Sequence, residues 1–164
     1  MNVNYYGQLI PTLIVLPYFM EAKKGYLVIT SSGLGFLGFM GYATYVPTKF
    51  ALVGLAEVLR NELLPYNIKV SVVYPEDTDT QGSVEENKLK PPECVIISES
   101  VMTKVMTPVE FAEEFIEGIL KGEFEILPGD TSKGIKEMRG DPDMVRGVLD
   151  SLYKRARRKT KRKI

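Results

Sequence analysis

A tyrosine, a lysine and a serine stand at spacings that suit proton transfer to a carbonyl group. Tyr45 and Lys49 are four residues apart, which on a helix places both side chains on one face, about one turn apart. A lysine ammonium beside a phenol favours the phenolate and lowers the pKa of the phenol from its ordinary value of about 10. Ser32 precedes Tyr45 by thirteen residues, and a serine hydroxyl can polarise a carbonyl and stabilise the oxyanion that develops on it. The three residues therefore predict acid–base chemistry on a carbonyl substrate.

The surrounding sequence supplies elements that bring these residues to one edge of a sheet. Apolar runs at 26–32 and 68–74 predict buried strands, and 123–127 predicts a third, short strand. Helices are predicted at 1–23, 47–64, 107 to about 121, and from about 142 into the C-terminal tail. Residues 75–106 show no strong period, and we interpret them as a long functional loop. Continuous apolar strands that alternate with helices are typical of an α/β fold with a covered parallel sheet. Ser32 ends the first strand and the segment 75–80 follows the second, at the sheet edge where such folds bind ligands.

The glycines of residues 33–38 form the pattern G-x-G-x-x-G, which in dinucleotide-binding proteins contacts phosphates. That turn requires a helix directly after it and an acidic residue about 20 positions further on. Here Pro47 marks the first turn of the next helix, and Glu76 follows the next strand at roughly twice the required separation. We therefore interpret this segment as a substrate-facing loop.

The charges of the chain are unevenly distributed along its 164 residues. Eight of the 21 basic side chains lie in the last eleven positions, so the rest of the chain, with all 21 acidic residues, has a formal charge of −8. The absence of histidine excludes His-based triads and His metal sites, and the lone Cys94 excludes a CxxC zinc pair, so no metal site is predicted. No apolar run reaches the length of about 18 residues that a membrane-spanning helix needs.

These motifs resemble those of the short-chain dehydrogenase/reductase superfamily. The resemblance covers Ser31-Ser32, the segment Tyr45-Val46-Pro47-Thr48-Lys49 with the helix after it, and the strand from Ile68 to Pro75. It implies an α/β, partial Rossmann-like, doubly wound parallel sheet: residues 1–128 would be the C-terminal catalytic half, 129–153 a linker and helix, and 154–164 a basic tail. Segments 2–7, 64–67 and 74–80 are most similar to the subgroup that reduces long-chain 3-keto sphingoid bases with NADPH in sphingolipid biosynthesis.

The resemblance implies a catalytic role for four residues. Tyr45 would donate a proton to the ketone, and Ser32 would orient and polarise the carbonyl. Lys49 would lower the pKa of Tyr45 and hold the nicotinamide ribose. Asn4 matches the asparagine that supports a proton-relay water, although a helix cap is an equal structural alternative.

The resemblance also implies a cofactor-binding segment. Besides Tyr45 and Lys49, the matching residues are Pro75, Thr78 and Thr80, which would line the nicotinamide of NADPH, with the loop after Thr80 folding over the substrate. Ordinary turn residues are the structural alternative for Thr78 and Thr80.

The sequence is expected to lack the family's N-terminal, glycine-rich nucleotide-binding half. We therefore expect the chain alone to bind NADPH poorly and to turn over little or no ketone. Three functions stay open: the catalytic half of a reductase acting on a long-chain keto lipid, a reductase of another lipid or hydroxysteroid-like substrate, and a non-catalytic module. That module would form homo- or heterodimers through helices 1–23 and 47–64.

The basic tail predicts either a solvated segment or contact with an anionic membrane surface. The tail has no aromatic residue after Tyr153, so specific nucleic-acid binding is not expected. The subgroup resemblance implies a location at the cytosolic face of the endoplasmic reticulum.

Overall fold

The structure, a computed structural model, describes residues 1–101 and 105–161. In these residues a parallel sheet of three strands, ordered β1-β2-β3, is packed between helices. The strands are β1 (Gly25–Thr30), β2 (Ile68–Val73) and β3 (Glu125–Ile126). The helices are α1 (Gly7–Ala22), α2 (Val46–Glu62), α3 (Gln81–Leu89), α4 (Pro92–Val101), α5 (Pro108–Lys121), α6 (Asp130–Met138) and α7 (Pro142–Lys161). The α/β fold with a parallel sheet is confirmed, and the predicted helix at 1–23 is a wide helical turn, Asn2–Tyr6, followed by α1.

The register of the sheet brings the two strand ends of interest side by side. Strand β1 pairs with β2 from Gly25 opposite Ile68 to Thr30 opposite Val73, so both strands end at the same edge. Beyond that edge the pairing continues, because the Ser31 N–H donates to the Val73 carbonyl at 2.9 Å. The segments after β1 and β2 therefore lie next to each other, as the sequence predicts.

Helix α2 holds the Tyr45–Lys49 pair against the sheet. Tyr45 is its N-cap and Pro47 lies in its first turn, where a backbone N–H needs no helical partner. The buried residues of α2 recur at helical spacing and pack on β1 and β2; they include Leu52, Val53, Ala56 and Leu59. This apolar face fixes which side of the helix, and so which side of Tyr45, turns toward the sheet edge.

The prediction of a long loop at 75–106 is wrong over much of its length, because α3 and α4 lie within it. Thr80 caps α3: its hydroxyl accepts from the Ser83 N–H at 3.2 Å, and the Ser83 hydroxyl accepts from the Thr80 N–H at 3.3 Å. An ion pair between Lys90 and Glu86 at 3.0 Å, one turn apart, adds support. Helix α3 is therefore stabilised by its N-cap and by ion pairs, and its sequence lacks the apolar periodicity from which a helix is predicted. Residues 102–104 lie outside the described part of the chain.

The C-terminal segment is more helical than the predicted linker at 129–141, because α6 occupies most of it. The helix predicted from about 142 into the basic tail is confirmed as α7. Helix α7 folds back on α4: Val145 and Ala156 are buried, and the Thr160 hydroxyl donates to the Glu93 carboxylate at 3.3 Å. Tail residues 162–164 lie outside the described residues. None of the helices in the described ranges has both the length and the apolar character needed to cross a bilayer.

Candidate active site

A cavity of about 360 Å³ opens at the carboxyl ends of β1 and β2. Its walls come from the segments after both strands, from the start of α2, from α3 and α4, and from α7. Three of the four residues predicted to be catalytic line it: Ser32, Tyr45 and Lys49. A volume of this size is within the range of small-molecule sites, so the sheet edge predicted from the sequence is a genuine concave site.

Ser32 and Tyr45 contact each other directly in this cavity. The Ser32 hydroxyl donates to the Tyr45 phenol oxygen and accepts from the Leu34 N–H at 3.2 Å. The second contact caps the short helical turn Gly33–Gly35, which follows β1. Ser32 is therefore held between the strand end and α2, with its oxygen beside the group expected to donate a proton.

Lys49 lies behind Tyr45 and is buried. Its Nζ is 5.3 Å from the centroid of the Tyr45 ring and donates to the Thr30 carbonyl at 3.3 Å. Burial lowers the pKa of Lys49, because a charged ammonium loses hydration there. An ammonium has three donors, so Lys49 keeps donor capacity beyond the bond to Thr30. Lys49 and the Tyr45 hydroxyl thus fit the ribose end of a nicotinamide cofactor by the chemistry of their donors.

The pKa of Tyr45 differs from the sequence expectation. Burial raises the pKa of Tyr45, the hydrogen bond from Ser32 lowers it, and the negative charges of Glu86 and Asp77 raise it further, with a net upward direction. Lys49 approaches the face of the Tyr45 ring, and its ammonium is bound to a backbone carbonyl. The predicted lowering of the Tyr45 pKa by Lys49 is therefore not seen in this structure, and Tyr45 is a protonated phenol at neutral pH.

The remaining predicted site residues take different places. Pro75 lines the cavity. The Asn4 side chain donates to the Thr48 hydroxyl at 3.1 Å and so contacts α2 one residue before Lys49. The Thr78 hydroxyl donates to the Glu76 carbonyl at 3.1 Å, while Thr80 caps α3. The cavity lining does not include Asn4, Thr78 or Thr80, and their predicted roles stay predictions.

Sequence reasoning missed several lining residues. Tyr42 precedes Tyr45 by one turn, its ring centroid lies 5.9 Å from that of Tyr45, and its hydroxyl donates to the Glu86 carboxylate. Burial and the nearby carboxylates raise the pKa of Tyr42. Helix α7 adds the aliphatic side chains Val145, Val148, Leu149 and Leu152 to the wall. The three-residue spacing of the tyrosines was a usable signal, whereas the approach of α7 depends on its tertiary packing.

Comparison with known proteins identifies the family. A sequence profile for the family described as short chain dehydrogenase matches residues 1–90. Among curated proteins, 3-ketodihydrosphingosine reductase of Dictyostelium discoideum is 47% identical over 128 residues, which cover 77% of this chain and 38% of that protein. The Bos taurus protein of the same name is 43% identical over 152 residues, covering 93% of this chain and 45% of the relative. The chain thus spans less than half the length of these two relatives.

Solved structures show the same fold. A short-chain dehydrogenase from Burkholderia cenocepacia in complex with NADP superposes with a TM-score of 0.72 at 22% identity, over 90% of this chain and 56% of that one. A short-chain dehydrogenase from Sphingobium yanoikuyae in complex with NADPH gives 0.64 at 23% identity, over 99% of this chain and 54% of that one. The solved structures thus show the fold, and the profile match over residues 1–90, more than half of the chain, shows the family: the chain belongs to the short-chain dehydrogenase family.

Proposed function

We propose that this chain carries the catalytic residues for the NADPH-dependent reduction of a 3-keto sphingoid base, 3-ketodihydrosphingosine, to the 3-hydroxy base in sphingolipid biosynthesis. One observation carries the proposal: Ser32, Tyr45 and Lys49 line a single cavity, with the Ser32 and Tyr45 hydroxyls in contact. The identity of 42–47% to proteins named for this reaction supports the choice of substrate.

The residues act on the two ends of the carbonyl bond as it is reduced. Tyr45 and Lys49 would hold NADPH at its ribose, and the cofactor would supply a hydride to the carbonyl carbon. The carbonyl oxygen lies between the Ser32 and Tyr45 hydroxyls, which stabilise the negative charge as it develops. The Tyr45 O–H bond then breaks and the proton passes to that oxygen, giving the alcohol. Lys49 binds the ribose through the donor capacity that its bond to the Thr30 carbonyl leaves free.

The walls of the cavity suit a long alkyl chain. Leu34 and Leu37 from the segment after β1 face the same cavity as the aliphatic residues of α7. Burying a methylene group of a ligand against such a wall is favourable by about 0.8 kcal/mol. An extended chain on this wall is therefore a substantial source of affinity for a lipid over a small ketone.

A chimaera tests the catalytic competence of these residues. This chain replaces the matching segment of the Dictyostelium reductase, and NADPH oxidation is followed with 3-ketodihydrosphingosine. We expect activity in the chimaera and its loss in Tyr45→Phe, with Tyr6→Phe, at an exposed position of the turn before α1, as the matched control. A folded chimaera that binds NADPH without turning over the ketone contradicts the proposal. A chimaera that prefers a hydroxysteroid-like ketone shows that the substrate belongs to another class.

A second candidate function is a dimerisation module, and the surface of α1 favours it. Four large apolar side chains at helical spacing are exposed there: Ile10, Leu13, Ile14 and Tyr18. We propose that a second copy of this chain, or a related reductase chain, packs on α1 and α2. Sedimentation should show a dimer that Ile14→Glu dissociates and that Leu89→Glu, on α3, leaves intact. A monomeric wild-type chain that also fails to bind a full-length relative contradicts this candidate.

We also propose contact of α7 with an anionic membrane, at the cytosolic face of the endoplasmic reticulum. Four basic side chains of α7 border one shallow surface depression: Lys154, Arg155, Arg158 and Lys159. Each basic residue near an anionic surface contributes about 1 kcal/mol, and salt screens the attraction. Binding to vesicles with anionic lipid should fall with salt and disappear on deletion from Lys154 onward. Equal binding to neutral vesicles contradicts the proposal.

A further inference from the structure

The cavity at Tyr45 has an acidic lining that the reduction chemistry does not require. Three carboxylates line it, Glu76, Asp77 and Glu86, against the single basic side chain Lys49 among the described lining residues. A neutral ketone gains nothing from these charges. A 3-keto sphingoid base, however, has a primary amine on the carbon next to the carbonyl, and such an amine is protonated over much of the neutral range.

Two of the three carboxylates are already engaged. The Glu76 carboxylate packs against Gly129, in the space that a side chain at that position would occupy. Glu86 forms an ion pair with Lys90 at 3.0 Å and accepts a hydrogen bond from the Tyr42 hydroxyl. Lys90 in turn lies 4.9 Å from the centroid of the Tyr42 ring, so Glu86 belongs to a local, charge-balanced cluster.

Asp77 is in a different situation. Its carboxylate accepts a hydrogen bond from the neutral Ser98 hydroxyl at 3.3 Å, and no ion pair involving Asp77 occurs within residues 1–101 and 105–161. The backbone around it is fixed, because the Asp77 carbonyl accepts from the Met106 N–H at 3.2 Å. Asp77 thus places an exposed carboxylate, with no ion pair to any described residue, at a defined position of the cavity wall.

The position of Asp77 is set relative to the reacting carbonyl. Asp77 follows β2 by four residues and Ser32 follows β1 by two, at strand ends that adjoin in the sheet. Asp77 lines the same cavity as Tyr42 and Tyr45, and its negative charge raises the pKa of both phenols. The amine of the substrate is two bonds from the carbonyl carbon, so a carbonyl held at Tyr45 brings the amine into the same part of the cavity.

From this arrangement we propose that Asp77 binds the ammonium group of the substrate and selects 2-amino ketones over ketones without the amine. The inference rests on the function proposed above. It adds a specificity residue: Asp77 accepts a charge-assisted hydrogen bond from the ammonium, and this contact orients the carbonyl toward Ser32 and Tyr45. A bound ammonium also offsets the carboxylate charge that opposes ionisation of Tyr45 during proton transfer.

The test uses the 164-residue chain and two soluble eight-carbon probes, 2-amino-octane-1,3-diol and octane-1,3-diol. Both are titrated by NMR into the wild type, Asp77→Asn, Glu86→Gln and Asp79→Asn. Asparagine keeps the acceptor for Ser98 and removes only the charge, while Asp79 is exposed and is not among the cavity-lining residues. For a partly exposed charge pair we expect Asp77→Asn to weaken binding of the amino diol about fivefold and to leave the plain diol unchanged. Asp79→Asn should match the wild type for both probes.

The outcomes separate this inference from the function on which it rests. If Asp77→Asn affects both probes equally, or neither, Asp77 does not bind the ammonium, and the proposed reduction stands on the chimaera result. If binding of the amino diol is weakened only by Glu86→Gln, the ammonium lies at α3 and the assignment to Asp77 is wrong. If neither probe binds the wild type and the chimaera is inactive, the proposed function fails and the inference with it.

Discussion

Ser31→Ala tests how the sheet edge holds the Tyr45–Lys49 pair. Ser31 is 1% exposed, its N–H donates to the Val73 carbonyl at 2.9 Å, and its hydroxyl donates to the Lys49 carbonyl at 3.0 Å. The side chain therefore connects the end of β1 to the first turns of α2. Alanine removes this connection and leaves the backbone pairing with β2 in place.

The magnitude follows from what remains after the hydroxyl is removed. The Lys49 carbonyl lies inside α2 and still accepts the backbone N–H four residues on, so no buried acceptor is left without a donor. The larger penalty of about 1–3 kcal/mol for an orphaned polar group does not apply. The expected loss in the free energy of unfolding is the net value of one hydrogen bond, about 1 kcal/mol.

Ser32→Ala is the matched control, because it removes a hydroxyl one residue away that supports chemistry more than the fold. Ser32 is half-buried and caps only a short turn through Leu34. Urea unfolding followed by circular dichroism should show a loss of about 1 kcal/mol for Ser31→Ala and about 0.5 kcal/mol for Ser32→Ala, the low end for a cap because the capped turn is short and half-buried. Binding of the amino diol should show the reverse order, with the greater loss in Ser32→Ala. A Ser31→Ala variant as stable as the wild type refutes the reasoning.

Two further predictions concern the core. Burial, assisted by the charge of Glu125, raises the pKa of Tyr74. Above about pH 10 the unfolded chain therefore releases the Tyr74 proton while the folded chain keeps it. The free energy of unfolding falls as the pH rises through this range. Between pH 9 and pH 11 the wild type should therefore lose about 1.4 kcal/mol more than Tyr74→Phe in urea titrations, and equal losses would contradict the burial argument. At Gly118 of α5, an added Cβ would lie 2.6 Å from Cγ2 of the buried Ile126, whereas at the exposed Gly54 of α2 it meets nothing within 4 Å. Thermal or urea unfolding should find Gly54→Ala more stable than the wild type by about 0.5–1 kcal/mol, because alanine favours the helix. Gly118→Ala should be less stable by about 1 kcal/mol, because the clash with Ile126 outweighs that gain. Equal changes in the two variants would show that α5 and β3 move apart enough to accommodate the added methyl group.

The sequence predicted those parts of the fold whose signals are local or strongly periodic. The apolar runs that became β1 and β2, and the spacing from Ser32 to Lys49, needed no long-range information. Helices α3 and α4 escaped prediction because α3 relies on its Thr80 cap and on ion pairs in place of an apolar stripe. The return of α7 onto α4, and with it the aliphatic wall of the cavity, depends on contacts between residues far apart in sequence.

The charge state of Tyr45 shows most clearly why a site cannot be read from spacing alone. The i, i+4 relation to Lys49 predicted a lowered pKa, but the pKa depends on burial and on carboxylates at positions 77 and 86, which approach only in the folded chain. The net effect keeps Tyr45 protonated at neutral pH. A protonated phenol is the form that can donate a proton to a developing alkoxide, because the alcohol that forms is a weaker acid than a phenol. A cationic substrate at Asp77 would offset the nearby negative charge and ease that donation.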